Sequence, residues 1–563
     1  MALLLVAALQ VHTLDDADTW WHLASGRLIA AERAVAHADP FSYTAPGAPW
    51  INRQWLFDLA AYGSWVAGGP AGPILLAGTL FLAGFAALYT LARRRLPAWA
   101  AALLVVLAAE TAVERFTVRP EAATICFLAL YLVVLDGATL GMPALAALAL
   151  LQVLWANLHA LSVLGLVALG AELAGAAAGL WLPLPEGWRR ASRRDAATVA
   201  RLGAATAVAI AAQIATPFGL AGALFPLRLL GVLGGAEVTS GPVVEHRAPV
   251  LAELSPPVAF GLVALLALAA LAALVSWRRW RMSHVLLAGT FAALALVARR
   301  NVALLGPGVL PLVAGGLAPA AAAAERALAR RPPAGTALGA ALALGFALAA
   351  AGVVGGSYYP AAHLTRTFGL GVSGLMFPAR AVDFLDAEAP AARLFNDDLL
   401  GGYLLWRDYP RRRVFIDGRF QVYPADIYAE YQAVLDDPRA FARLAARYAT
   451  TAAILFHPAP GRLELARAIA ALPGWRIAYL DGAAVVLLAD GKVPGMPAGL
   501  GEPAIENPAT AIEDAIAHYQ RGRALLYLFG RPGFPLARAD FQSALRSWPG
   551  LDDARLGLGA TGE

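Results

Sequence analysis

The sequence predicts an α-helical polytopic membrane protein of about eleven transmembrane helices, followed by a C-terminal extracytoplasmic α/β domain and a short helical repeat tail. Three observations carry this reading. The 563 residues are 59% hydrophobic and only 15% charged, with a mean hydropathy of +0.61, far from ordinary soluble usage. Apolar runs of spanning length recur up to Gly356 and then stop. Beyond that point, strand-like and helical stretches alternate in a soluble composition.

The first membrane helix is expected from Met1 to about Leu14. It is read as a span rather than a cleavable leader, because no basic n-region or A-x-A-like site precedes the acidic segment. Its length falls short of the roughly 20 residues that a bilayer core requires. Further spans are expected at 72–92, 97–113, 121–138, 142–157, 161–182, 200–217, 257–276, 283–298, 302–320 and 335–356. Arginine clusters at Arg93–Arg95, Arg189–Arg194, Arg278–Arg281 and Arg326–Arg331 all fall on one side in this count. The positive-inside rule makes that side the cytoplasm of an inner-membrane protein. The net charge of +5 is thereby explained by topology, and no nucleic-acid partner is expected. Membrane lipid is the expected surrounding. Cys126 is the single cysteine, which excludes an internal disulfide and a cysteine metal cluster.

The predicted domains are 1–357 (transmembrane, with a first outer loop over 15–70), 358–491 (outer α/β), a linker over 492–508, and a helical tail over 509–563. "RLFND", "RRVFIDGR", "TAAILFH", "WRIAYLDG" and "AAVVLLAD" read as strands, the last two as a hairpin across Asp481 and Gly482. Gly522, Ala537, Phe541, Ala544 and Pro549 have the spacing of a tetratricopeptide helix pair. Such a pair cannot bury its own core, so it packs on the preceding domain and offers a surface to a protein partner.

With this topology the unusual polar residues collect on the outer side: "ERFTVRPE", "WANLHALS", "TPFG", "VVEHRAP" and "ARRNV", together with "LDDADTWWHLASGR" (Leu14 to Arg27). Only Glu172 lies deep in a span, where a carboxyl is kept neutral or paired with a neighbouring helix. If the acidic segment is a helical turn leaving the membrane, Asp15, Asp18 and His22 share one face, with Asp16 beside them. Carboxylates so placed act as a general base or hold a divalent cation, with Asp16 and Asp18 as its ligands. Trp20 and Trp21 suit the interfacial belt. Acids at a helix C-terminus oppose its dipole, a cost that a function would offset. The plainer reading is a solvated helix end.

An N-terminal helix, an acidic outer loop, about eleven spans and an outer C-terminal domain resemble the GT-C superfamily of integral-membrane glycosyltransferases, which includes protein O-mannosyltransferases, aminoarabinose transferases and oligosaccharyltransferases. "DDADTWWHLASGRLI", "DPFSYTAPGAPWINRQWL", "VRPE", "LWANLHA", "FNDDLLGGYLLW" and "VFIDGR" are most similar to a bacterial GT-C-like group. The likeness covers roughly residues 1 to 490. It implies a polyprenyl-phosphate sugar donor, an envelope acceptor and inversion at the sugar carbon. Asp18 would then deprotonate or orient the acceptor hydroxyl, with Asp16 as its partner or as a metal ligand. The departing phosphate needs cations already in place, for which Arg115, Arg119, Arg247, Arg299 and Arg300 are the candidates. His22, Asn157, His159, Glu245 and His246 either bind substrate or bridge helices. Asp397, Asp398, Asp417 and Arg419 either line an outer pocket or close strand ends. One departure stands out: the related group more often has "N-H-E-W-L", whereas this chain has Arg53 and Gln54 in place of the histidine and the acid. A transporter or flippase of lipid-linked saccharide, and a non-catalytic assembly protein, are the alternatives.

Overall fold

A computed structural model describes residues 1–137, 140–229, 244–492, 495–506 and 508–562. Val243 and parts of the expected linker, at 493–494 and 507, lie outside the described residues. The chain divides into two compact units. The first comprises Met1–His12, Ile51–Ala60 and Val66–Phe368; the second comprises Thr13–Trp50, Ala61–Trp65 and Gly369–Glu563.

In the first unit, helices at Ala71–Arg93, Ala98–Thr111, Glu121–Leu135, Met142–Leu158, Val163–Trp181, Ala196–Ala212, Pro256–Ser276, Met282–Val297, Leu305–Ala329 and Pro332–Val354 fall on the ten apolar runs read from the sequence. Local chemistry explains their ends. The Asp195 carboxylate accepts from the Thr198 amide at 2.7 Å and caps the helix that follows. Pro256 and Pro257 open their helix where missing N–H groups cost nothing. By length and composition, five spans can cross a membrane, and a sixth arises if the bent pair Glu186–Ser192 and Ala196–Ala212 counts as one. Four more apolar helices are shorter.

The first helix corrects the sequence expectation: it runs only over Ala2–Leu9. Gln10 closes it, and the chain turns extended where His12 pairs with Phe368. The His12 ring donates to the Phe116 carbonyl.

Leu305–Ala329 is the central helix, its span 78% buried against 6–50% for the other four long ones. A Cβ on Gly316 would stand 2.7 Å from the Ala272 carbonyl oxygen. Small residues permit this approach, which replaces the missing hydrophobic drive between helices in lipid. The deep carboxylate Glu172 pairs with Arg281 at 2.5 Å and Arg194 at 3.2 Å. Arg281 also reaches Asp136, as do Arg94 and Arg95. Members of three arginine clusters thus knit helix ends together, and Glu172 is a structural anchor of that network.

The second unit holds a four-stranded sheet in the order β1-β2-β4-β3, with β1 at Leu394–Asn396, β2 at Ala452–Phe456, β3 at Arg476–Leu480 and β4 at Ala484–Leu488. β1 and β2 are parallel, while β4 pairs antiparallel with both β2 and β3. The Asp481 carboxylate shapes the hairpin turn between β3 and β4 by accepting from the Ala483 and Ala484 amides. β2 and β4 are buried throughout, as their unbroken apolar runs require.

"VFIDGR" is not a sheet strand, which corrects the sequence reading. Only Val414 forms a bridge, with Ser42. Other backbone groups of the segment are taken up elsewhere: Phe415 N donates to Asn396 Oδ1 at 2.8 Å, Asn396 Nδ2 donates to the Ile416 carbonyl at 2.7 Å, and the Thr44 hydroxyl donates to the Phe415 carbonyl at 2.6 Å. One asparagine side chain stands in for a neighbouring strand.

The tail forms helices Ala511–Phe529, Phe534–Ser547 and Asp552–Ala560. Thr510 caps the first by accepting from Glu513 N at 3.1 Å, and Glu513 reaches back to the Ala509 amide. The Phe541 ring lies against both Gly522 and Gly557, where a Cβ would fall within 2.8 Å of it.

Candidate active site

The acidic segment belongs to the second unit. The helix there starts at Asp18 and runs to Glu32, so the acids stand at its N-terminus and not at the C-terminus of the first helix. This corrects the dipole argument: charge at that end is favoured. Asp16 Oδ1 accepts from Asp18 N at 2.9 Å, and Asp15 lies ahead of the helix. Asp18 and His22, one turn apart, share a face. The His22 ring is buried and stacks on Trp21 with centroids 3.7 Å apart.

Three sequence segments meet here through glycines. Helix Asp398–Asp408 packs on the Asp18 helix, and a Cβ on Gly402 would stand 2.7 Å from the Ala17 carbonyl oxygen and 3.1 Å from Trp21 N. A Cβ on Gly401 would stand 2.7 Å from Asp417 Cα, and one on Gly418 would overlap Asp18 Oδ1. The Asp18 carboxylate therefore rests against a backbone position that only glycine leaves open.

That position is held rigidly by its neighbours. Arg419, fully buried, donates to Asp417 at 2.7 and 2.9 Å and to Asp39 at 2.8 Å, and Tyr423 donates to Asp417 at 2.8 Å. The guanidinium lies over Phe41 at 4.7 Å and Trp50 at 4.5 Å. Burial would lower its pKa, but Asp417 and Asp39 outweigh that and raise it. Asp417 and Arg419 thus frame the site instead of lining a pocket. Asp397 caps helix Asp398–Asp408 and pairs with Arg462 at 2.6 Å. Asp398 takes a 2.7 Å bond from Tyr431, and burial together with Asp397 pushes its pKa well up.

The arginine candidates belong to the first unit. Arg115, Arg299 and Arg300 line a cavity of about 260 Å³ with Glu114 and Glu245. Arg115 pairs with Glu121 and Glu245, both at 2.7 Å; Arg119 stands 3.7 Å from Glu245; Arg299 pairs with Glu114 at 3.0 Å. Arg300 instead donates to His246 Nε2 at 2.7 Å. Burial and Arg300 lower the His246 pKa, which disfavours a charged ring. Among the described residues no carboxylate is in direct contact with Arg300, and Glu121 and Glu245 act on it from farther off. Arg247 contributes its carbonyl to the Arg299 amide at 2.8 Å.

Burial would raise the Glu245 pKa, yet Arg119 and Arg115 hold it at about 2, against an ordinary 4.5. A depressed acid contributes stability that is complete above its unfolded pKa and lost as pH falls through the folded one. Thermal melting is therefore expected to lose a contribution between about pH 4.5 and 2, and Glu245→Gln should remove that part of the pH dependence. With 41% of the side chain exposed, screening keeps the effect small. An unchanged profile in the variant would show that the pairing is not felt.

Asn157 is committed to bridging: it accepts from Trp55 Nε1 and donates to the Val153 and Ala215 carbonyls, each at 2.8 Å. His159 Nδ1 lies 2.7 Å from the Thr124 hydroxyl, which also accepts from Trp155. Arg53 is wholly buried, donating to the Gly222 carbonyl, to Ser162 at 3.2 Å and to Gln213 at 3.0 Å. Burial lowers its pKa to about 10. It holds three segments together at the position where related loops carry a histidine. Sequence reasoning missed Glu114 and Gly418; Gly418 was legible only as part of a strand-end turn.

Among the described residues, no three histidine, cysteine, aspartate or glutamate side chains are grouped to hold a metal ion. Asp16 and Asp18 offer two carboxylates, one oxygen of which is engaged by an amide. One or two carboxylates are what a magnesium ion usually takes from a protein, waters and substrate phosphates completing its shell.

No protein-family model matches the chain, and no curated protein matches it in sequence. Solved structures do match. The apo oligosaccharyltransferase of Archaeoglobus fulgidus is 12% identical with a TM-score of 0.54, over 94% of this chain and 78% of that one. The archaeal oligosaccharyltransferase AglB from Archaeoglobus fulgidus, in complex with an inhibitory peptide and a dolichol-phosphate, is 11% identical with a TM-score of 0.53, over 80% and 69%. ArnT from Cupriavidus metallidurans, bound to undecaprenyl phosphate, is 15% identical with a TM-score of 0.47, over 88% and 97%. At such identities the likeness is one of fold, and the chain has the fold of AglB, a GT-C superfamily membrane glycosyltransferase.

Proposed function

We propose that this protein is a glycosyltransferase of the cytoplasmic membrane that moves a sugar from a polyprenyl-phosphate donor to an envelope acceptor on the outer side, where its C-terminal part lies. The observation that carries the reading is the cavity lined by Arg115, Arg299 and Arg300, with the Arg300 charge facing a neutral histidine. Arg115 and Arg299 are held by glutamates, while Arg300 meets a histidine, and a cation so placed favours an anionic ligand; a departing phosphate gains most from donors already in place. AglB was solved with a dolichol-phosphate, which supports a lipid phosphate here.

In the reaction, the Asp18 carboxylate takes the proton of the acceptor hydroxyl. The freed oxygen attacks the anomeric carbon, the bond from that carbon to the phosphate oxygen breaks, and the polyprenyl phosphate leaves with the electron pair. The anomeric centre inverts. Asp16 holds Asp18 in place by accepting its amide. Arg115, Arg299 and Arg300, in the first unit, are the proposed cations for a departing phosphate, with Arg119 four residues on from Arg115 in sequence and Arg247 bonded through its carbonyl to the Arg299 amide. The tail is assigned a tetratricopeptide-like packing role, with a protein partner as its ligand.

Sugar release from a panel of radiolabelled polyprenyl-phosphate sugars, by purified protein in lipid, tests this reading. Turnover of at least one donor is expected, with Arg300→Ala lowering it by about 10²-fold. Transport of intact donor across the membrane without release would instead make the protein a flippase. Binding with neither release nor transport, once candidate acceptors are supplied, would favour the assembly role.

A further inference from the structure

A second cavity, of about 580 Å³, lies wholly within the second unit, inside the range of about 300–1,000 Å³ typical of small-ligand sites. Its walls carry five aromatic side chains: Trp20, Trp65, Phe377, Tyr403 and Trp406. Trp20 meets Trp65, Phe377 and Tyr403 edge-on with centroids 4.9–5.7 Å apart, and Trp65 meets Trp406 at 5.1 Å. Trp65 and Trp406 are only half-buried, which leaves part of each ring open to a ligand. Trp20 is 1% exposed, and among the described residues its Nε1 donor has no hydrogen-bond partner. A buried donor left unmade costs free energy, and a ligand acceptor would recover it.

The charged groups on the wall narrow the ligand. Arg380 is paired with Glu502 and donates to the Pro503 carbonyl at 2.8 Å; Arg407 is paired with Asp383 at 2.5 Å. Both cations are compensated, and Asp481 and Glu506 add acids to the same wall, so a phosphate or an acidic sugar is disfavoured there. Aromatic rings, compensated cations, wall carboxylates that accept from hydroxyls and a spare N–H suit a molecule that has apolar C–H faces and hydroxyl edges. That is the chemistry of a neutral pyranose. The glycine-containing stretch Gly369–Gly374 brings backbone to the same wall, where peptide groups can meet hydroxyls. The lining residues Thr13 and Trp20 also bracket Asp15, Asp16 and Asp18 in the chain.

We infer that this aromatic cavity binds a neutral pyranose saccharide, as the acceptor of the transfer. Its role as acceptor site rests on the transferase reading above; binding of the sugar does not. The test is calorimetric titration of the full-length protein in lipid nanodiscs with maltose, cellobiose, lactose and diacetylchitobiose. Inorganic phosphate, sialyllactose and a tryptophan-containing dipeptide serve as contrasts, and donor-sugar release to water is followed in parallel. At least one neutral disaccharide is expected to bind. Trp406→Ala should weaken it by about ten-fold, and Trp20→Phe, which keeps a ring and deletes the N–H, by about three-fold. Should Trp406→Ala fail to fold, Trp20→Phe carries the test alone. Absence of binding by all four neutral sugars, binding indifferent to Trp20→Phe and to any folded Trp406→Ala, or preference for phosphate, sialyllactose or the dipeptide would overturn the inference. Release of donor sugar without saccharide binding would overturn the cavity and leave the transferase standing. Saccharide binding without release of any donor would do the reverse.

Discussion

Asp18→Asn is expected to lower sugar release by about 10²- to 10⁴-fold, the contribution of a general base, while leaving the melting temperature nearly unchanged. The substitution keeps the shape of the side chain, and removes its negative charge and with it the ability to take a proton, at a helix-terminus cost of a few tenths of a kcal/mol to about 1 kcal/mol. Asp16→Asn should do less, because an asparagine oxygen still accepts the Asp18 amide and caps the helix start. Gly418→Ala provides a complementary test, since its methyl would overlap Asp18 Oδ1 and displace the carboxylate. Release is expected to fall in that variant with the acid itself intact. Kinetics on the three purified variants, alongside thermal melting, decide the matter. Full turnover by a folded Asp18→Asn protein would remove Asp18 from the chemistry.

Arg419→Leu is expected to destabilise the second unit by about 3–5 kcal/mol, the usual cost of breaking a buried ion pair from one side. The substitution leaves Asp417 and Asp39, both unexposed, facing each other without their cation. It also removes the guanidinium from between Phe41 and Trp50. Asp39→Asn should cost less, because Arg419 keeps Asp417 and the amide oxygen can still accept. The measurement is denaturant unfolding followed by limited proteolysis of the second unit. A loss below about 1 kcal/mol would place these charges among exposed pairs of little consequence. Because residues 417–419 hold Gly418, destabilisation here should also lower sugar release, an effect that Asp39→Asn would show in part.

Much of this protein was legible in its sequence. The ten apolar runs became helices, nine with ends within about five residues and one, expected to stop at 320, running on to Ala329, since a run of that hydrophobicity satisfies its backbone internally. The β3–β4 hairpin followed from alternating turn and strand chemistry over "WRIAYLDGAAVVLLAD". The acidic segment, "FNDDLLGGYLLW" and "VFIDGR" stood out as polar islands, and the arginines of "ERFTVRPE" and "ARRNV" stood out as cations on a face that should have few. These are properties of composition and local spacing, which one strand of sequence carries by itself.

What the sequence left open depends on partners far along the chain. Whether Asp16 and Asp18 end one helix or begin another turned on where the first helix stops, and it stops at Leu9. "VFIDGR" has the residues of a strand, but its hydrogen bonds go to Asn396 and to the loop at Ser42, so pairing and not propensity set its form. Gly401, Gly402 and Gly418 read as turn formers and serve instead as close-packing positions, a role fixed by the neighbours and not by the glycines. Arg300 looked like the other outer arginines until His246 came beside it in place of an acid. The sequence by itself determined which segments are apolar, which are helical and where the unusual charges lie, because those follow from near neighbours. Only the tertiary structure decided which charges pair with each other and which meet a neutral neighbour, because electrostatic pairing is a matter of distance in space.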